Sequence, residues 1–437
     1  MVGVNHPRFA LSLSLRRLAV RPRSVALLAA IPVLALFVGI VGWLFDWRLG
    51  VDSAVYRAGA LTLLAGEPLY DTTTLGPEPW WALLPFTYPP TAALLFVPLA
   101  PLPVQVAWGV LAAASILAMA LVIRITIATL PRSPLAVSWW ASPARATLLF
   151  AVALLVIEPV WRTIFLGQIN LILMALIVLD LLVISARPNR FGGVLVGIAA
   201  AVKLTPLIFV PHLLFTGRWR EAVRALATFA ALQGLMFLLI PYDAMRFWGH
   251  AVSDPGRTGP IHWAGNQSLN GLVNRLSDLA PWSLAVAVGI GAVLAGPAVW
   301  LMLRFHRSGR ALPALLVTAF YGLLISPVSW SHHWVWAVPL IVLLVSRLPQ
   351  TTPATAARRW LGTGVIVAVF ISCVLLALPN GRNLELHWDF WQYLLGSVYL
   401  LVPAVLVLVL AIRWAMRGRT ARVEHDQVPA RVTEHAG

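Results

Sequence analysis

Apolar runs of spanning length recur along the chain, at roughly 25 to 45, 104 to 130, 146 to 162, 169 to 185, 222 to 241, 282 to 303, 312 to 328, 334 to 346, 360 to 379 and 391 to 414. About twenty apolar residues at 1.5 Å rise each cross a bilayer's hydrocarbon core, so each run predicts a transmembrane helix. A further stretch, GGVLVGIAAAVKLTPLIFVPHLLF (192 to 215), is flanked by Arg190 and Arg218 and must begin and end on the same side. It is too short for two crossings unless the chain turns back at the KLTP break, partway through the membrane. Counted as two segments, this hairpin brings the total to about twelve transmembrane or re-entrant helices. The fold class is therefore an all-α polytopic membrane protein. A mean hydropathy of +0.84, with 60% hydrophobic and 11% charged residues, suits no water-soluble domain of this length.

The polar breaks between the runs fall into two kinds. Those on one side are short and rich in Arg; those on the other include two long loops, 46 to 90 and 242 to 281, and two shorter ones at 326 to 336 and 379 to 390. With the N-terminus inside, 24 basic and 5 acidic residues lie on the cytoplasmic side, against 8 basic and 11 acidic outside. The formal charge of +16 thus reports topology, with both termini cytoplasmic, and implies membrane lipids and not nucleic acid as partners. Residues 1–24 read as a basic cytoplasmic N-terminus ahead of a retained first helix, 25–415 as a single transmembrane domain, and 416–437 as a disordered cytoplasmic tail. Cys373, the sole cysteine, leaves no intrachain disulfide. No Walker A or Rossmann glycine pattern occurs, so nothing points to a nucleotide.

Candidate chemistry gathers in the outer breaks. Asp52 stands just past the first run, with Tyr56 and Arg57 about one helical turn on; it reads either as a helix cap or as a general base at the membrane interface. Lys203, the only lysine, sits at membrane depth beside a Pro-interrupted break, where a cation is costly; it reads either as a side chain snorkelling to the interface or as part of a polar site, whose plausible task is to hold an anionic phosphate. His332 and His333, among Trp330, Trp334 and Trp336, read as incidental members of an aromatic belt or as donors to a leaving phosphate. Adjacent histidines point apart on a helix, and no HExxH or Cys/His spacing occurs, so no metal is expected. The amides Gln168, Asn170, Asn266 and Gln267, at outer helix ends, suit sugar hydroxyls but also cap helices.

Taken in order, DSAVY (52–56), LPFTYPP (84–90), GQIN (167–170), KLTP (203–206), NQSLNG (266–271) and SPVSWSHH (326–333) resemble the polyprenol-phosphate-mannose-dependent transferases of glycosyltransferase family 87. The likeness runs from about residue 30 to 410 and leans toward the mycobacterial α-1,2-mannosyltransferases that extend phosphatidylinositol mannosides. It implies a GT-C fold with its site at the non-cytoplasmic face of the plasma membrane, and no cofactor beyond the donor, polyprenyl phosphate mannose. It implies that Asp52 deprotonates a glycolipid acceptor hydroxyl, and that Lys203 and His332 or His333 face the donor phosphate. Arg162, beside GQIN, is a further phosphate candidate, and Tyr88 is a candidate for the sugar site. Two other readings stay open: a transporter or flippase of a lipid-linked sugar using Lys203 and the broken hairpin, and an O-antigen-ligase-like GT-C enzyme.

Overall fold

A computed structural model describes residues 22–130, 142–186, 190–348, 353–410 and 412. Residues 1–21 of the basic N-terminus and the whole 416–437 tail lie outside the described residues. Within them the structure is helical, and the one strand-like pairing is an antiparallel bridge between Asn266 and Trp330.

In chain order the helices are α1 (Pro22–Leu44), α2 (Val51–Ala65), α3 (Pro90–Leu95), α4 (Val104–Thr129), α5 (Pro143–Ala153), α6 (Glu158–Leu166), α7 (Asn170–Leu179), α8 (Val194–Val202), α9 (Phe209–Phe215) and α10 (Trp219–Leu239). There follow α11 (Pro241–Gly249), α12 (Leu269–Leu276), α13 (Ser283–Arg307), α14 (Ala311–Ile325), α15 (Ala337–Val345), α16 (Pro353–Ile371), α17 (Val374–Ala377), α18 (Phe390–Leu395) and α19 (Val398–Leu410). Three of these, α4, α10 and α13, are long and apolar enough to cross a membrane. Large apolar side chains point outward from two of them, Leu238 at 81% and Val293 at 76% exposure, as lipid-facing helices require.

Two expected spans are broken. The run at 146 to 162 is two helices, bent by 78° at Ile157, whose extended backbone precedes Glu158 and Pro159 at the head of α6. The run at 360 to 379 is interrupted where Cys373 adopts a left-handed conformation (φ 50°), separating α16 from α17.

The 192 to 215 hairpin turns back partway, as its length demands. Gly193 lies against Glu221, Gly197 against Ala225 and Thr228, and the Ala201 carbonyl accepts Gln233 Nε2 at 3.1 Å, so α8 climbs in parallel with α10. Twelve residues of α10 correspond to about 18 Å, well short of a hydrocarbon core of about 30 Å. At Lys203 the backbone becomes extended (φ −149°, ψ 130°), and a 3-10 turn at Thr205–Ile208 and α9 bring the chain back to the start of α10. At the foot of the hairpin the buried Asp180 accepts the Gly193 and Val196 N–H groups at 2.8 and 3.0 Å, satisfying donors that α8 would otherwise leave open.

The two long loops interlock. Arg257 donates to the Tyr70, Thr72 and Phe86 carbonyls, Asp243 accepts the Leu69 N–H at 2.8 Å, and Asp71 accepts the Tyr242 hydroxyl at 2.8 Å and pairs with Arg246. Side chains of the second loop thus hold the backbone of the first, which frames α2 and its Asp52.

Candidate active site

The start of α2 is fixed by close approach to the turn after α6. Gly50 precedes α2 at φ +71°, and a Cβ there would stand 2.2 Å from Ser53 Oγ and 2.4 Å from Trp108 Cδ1. Gly167 ends α6 at φ +72°, and its Cβ would stand 2.5 Å from the same Ser53 Oγ. Both positions need the left-handed freedom and the small size of glycine. Trp108 Nε1 donates to the Ile164 carbonyl at 2.8 Å and secures the end of α6. The clasp sets Asp52 beside Gln168.

Asp52 is not a cap. Gly50 is the capping residue, no side-chain cap bond forms, and the half-buried Asp52 carboxylate lies in the first turn, at the positive end of the helix. Burial pushes its pKa up from 3.8 to about 6, while a hydrogen bond from the Gln168 side chain and the charges of Lys203 and Arg162 pull it down. A carboxyl poised near neutrality is suited to proton abstraction.

Gln168 is oriented by two phenols. Its Oε1 accepts from Tyr56 at 2.8 Å and from Tyr88 at 3.1 Å, and the two hydroxyls are 2.7 Å apart. With the oxygen engaged by the tyrosines, the amide NH2 is the group left for Asp52. Tyr56 is itself locked by stacking on Phe96, 4.4 Å between centroids.

Lys203, at the crest of the hairpin, donates to Asn170 Oδ1 at 3.1 Å, reaches His333 Nε2 at 3.0 Å, and lies 5.5 Å from the Tyr88 ring centroid. Asn170 Nδ2 and Thr163 Oγ1 both donate to the His332 carbonyl, at 3.1 and 3.0 Å. The two imidazoles meet edge to face, 4.8 Å apart. His333 is thus engaged by lysine. His332 is buried, and among the described residues neither ring nitrogen has a hydrogen-bond partner, a state that is costly until a ligand supplies one. Lys203 and His333 line a pocket together with the polar Asn170, Ser326 and Ser329 and the apolar Met174, Ile177, Phe209, Leu323 and Trp336.

Arg162 completes the cluster. Its Nη1 donates to Glu158 Oε1 at 3.2 Å and Ser331 Oγ at 3.1 Å, and its charge acts on both Asp52 and His332. Asp52, Tyr56, Tyr88, Arg162, Gln168, Asn170, Lys203, His332 and His333 therefore form one connected group.

Three other candidates lie apart from it. Arg57 Nε donates to the Leu102 carbonyl at 2.6 Å, because a residue five places on from Asp52 has turned away from it. Asn266 Oδ1 accepts the Ser268 and Ser329 N–H groups and its Nδ2 donates to the Ile261 carbonyl; Gln267 Nε2 donates to the Ala264 and Gly396 carbonyls. Both side chains are fully buried and tie the second long loop to the 326 to 336 segment and to the end of α18. Sequence reasoning missed Glu158, fully buried and bonded to Ser331 at 2.7 Å and Tyr399 at 2.9 Å. A lone carboxylate inside an apolar run was the available signal.

Among the described residues no group of three or more His, Cys, Asp or Glu side chains stands where it would hold a metal ion. A family model described as Glycosyltransferase family 87 matches residues 86–327. A protein of Mycobacterium tuberculosis called polyprenol-phosphate-mannose-dependent alpha-(1-2)-phosphatidylinositol mannoside mannosyltransferase is 32% identical over 385 residues, covering 84% of this chain and 87% of its own length. Its namesake in Mycolicibacterium smegmatis is 29% identical over 409 residues, 89% and 90% of the two chains. A Mycobacterium tuberculosis protein named as the corresponding phosphatidylinositol pentamannoside mannosyltransferase is 32% identical over 387 residues, 85% of each. No solved structure matches the chain.

Proposed function

Because the chain belongs to glycosyltransferase family 87, we propose that it transfers mannose from polyprenyl phosphate mannose to a phosphatidylinositol mannoside, forming an α-1,2 linkage. The observation that carries this reading is the union of a half-buried carboxylate, Asp52, with Lys203, Arg162 and the two histidines, of which Lys203 and His333 line a largely apolar pocket. A lipid phosphate needs cations at its head and an apolar wall for its chain; a sugar acceptor needs a base. Both requirements meet within one cluster.

In the proposed step the acceptor 2-hydroxyl oxygen attacks C1 of the mannosyl phosphate from the face opposite the phosphate. Asp52 takes the hydroxyl proton, the C1–O bond to phosphate breaks with its electron pair going to the phosphate oxygen, and polyprenyl phosphate leaves. One displacement inverts a β-linked donor into an α-linked product. A single base suffices, since phosphate is a good leaving group once Lys203, Arg162 and His332 meet its charge. Unlike glycosidases, which protonate an alcohol leaving group with a second carboxyl, this reaction asks for one carboxylate. The Gln168 bond and the first-turn position keep Asp52 aimed and bias it toward the carboxylate.

The same reading takes residues 25–415 as one GT-C domain of about twelve transmembrane or re-entrant helices, with cytoplasmic termini and the Asp52 face periplasmic. Purified protein incubated with radiolabelled polyprenyl phosphate mannose and a series of phosphatidylinositol mannosides tests it. An α-1,2-linked mannosyl product is expected; no transfer by folded protein to any of them would overturn it.

A further inference from the structure

We propose that Glu158, together with Ser331 and Tyr399, is the positioning group that aims Arg162 at the donor phosphate. The proposal rests on the phosphate-bearing donor of the preceding section. Glu158 opens α6 immediately after the 78° bend and is fully buried, whereas Arg162, one turn further along the same helix, is 27% exposed. A carboxylate at this depth is costly unless every lone pair has work. Here Oε1 accepts from Ser331 at 2.7 Å and from Arg162 Nη1 at 3.2 Å, and Oε2 accepts from Tyr399 at 2.9 Å.

The geometry divides the guanidinium in two. Nη1 is held from behind by Glu158 and Ser331, while among the described residues Nη2 and Nε have no hydrogen-bond partner. A planar fork fixed at one corner presents its remaining N–H groups in one orientation, which is what two oxygens of a phosphate require. The guanidinium is close enough for its charge to act on Asp52 and His332 as well as on Tyr399 behind it. Ser331 adjoins His332 in the chain, so the bond that fixes Arg162 also fixes the segment carrying the unpartnered imidazole. Tyr399 approaches from α19, is fully buried and packs on Trp334, so α19 braces Glu158 through a single buried hydroxyl. Glu158 also balances the Arg162 charge, so that Arg162 and Lys203 coexist before an anion arrives.

The test compares Glu158→Gln, Tyr399→Phe and Arg162→Ala in purified protein, measuring KM for polyprenyl phosphate mannose, KM for the acceptor, and inhibition by polyprenyl phosphate. Glu158→Gln should raise donor KM and the polyprenyl phosphate inhibition constant together, about tenfold, and leave acceptor KM unchanged. Tyr399→Phe should move the same two constants about threefold. In an Arg162→Ala background neither change should add further, since both act through the guanidinium. Equal effects on donor and acceptor constants, or a full effect of Glu158→Gln persisting without Arg162, would overturn the proposal. Should Glu158→Gln fail to fold, an unaltered inhibition constant in Tyr399→Phe would overturn it as well. Arg162→Ala with unchanged donor constants would instead remove the phosphate role of Arg162 on which the proposal rests.

Discussion

Replacing Gln168 with Leu should move the pH dependence of transfer without abolishing it. In the proposed role of base, Asp52 is productive only as the carboxylate. With its pKa raised to about 6, kcat/KM should climb with pH through that value and level off above it. The carboxylate fraction is about 9% at pH 5 and about 91% at pH 7, a tenfold rise in rate across the two units. Gln168 is the first of the influences that hold the pKa down against burial. A hydrogen bond to a charged group is worth about 1.5–3 kcal/mol, and at 1.36 kcal/mol per unit its loss raises the pKa by about 1 to 2 units. The limb in Gln168→Leu should therefore sit near pH 7 to 8, cutting the rate at pH 6 by about 5- to 50-fold and restoring it by pH 9. The assay is the pH profile of kcat/KM for mannose transfer at saturating acceptor, wild type against Gln168→Leu. A loss equal at every pH, an unmoved limb, or a wild-type profile flat between pH 5 and 7 would refute the reasoning.

Lys203→Met should raise donor KM by about 10- to 150-fold, the loss of a charge-assisted bond to phosphate, with a smaller change in acceptor KM; steady-state kinetics with each substrate varied checks it. Gly167→Ala should lower Tm and activity together, because its Cβ would meet Ser53 at 2.5–2.6 Å on top of the cost of about 1–2 kcal/mol of a left-handed alanine. Gly66→Ala, at φ +69° with nothing within 4 Å, should carry the conformational cost alone and leave donor and acceptor KM unchanged; equal thermal shifts in the two variants would discount the clasp between α2 and α6.

Much of the site was legible because its residues are polar groups standing at breaks in apolar runs, where a membrane protein keeps them only for cause. Asp52, Lys203, Gln168 and Asn170 each carried that signal, and the hairpin's return at Lys203 followed from its length, its flanking arginines and the KLTP break. The bend at Ile157 was hidden because hydropathy reports what lies in the membrane and not its direction; only Pro159 hinted at it. Asn266 and Gln267 misled because an amide in a long polar loop suits a hydroxyl and a backbone carbonyl equally, and here the backbone has them. Arg57 was displaced from the cluster by the 100° each helical residue turns. Glu158 escaped because its partners Ser331 and Tyr399 are 173 and 241 positions away, a proximity that no local pattern encodes.

The most direct measurement is mannose transfer from polyprenyl phosphate mannose to a phosphatidylinositol mannoside by wild type and Asp52→Asn, with inhibition by polyprenyl phosphate measured on both. Asparagine keeps the shape of the side chain and removes the base, so the rate of Asp52→Asn should fall by about 10²- to 10⁴-fold while polyprenyl phosphate inhibits the residual activity at a similar concentration. Transfer at the wild-type rate by Asp52→Asn would contradict the account.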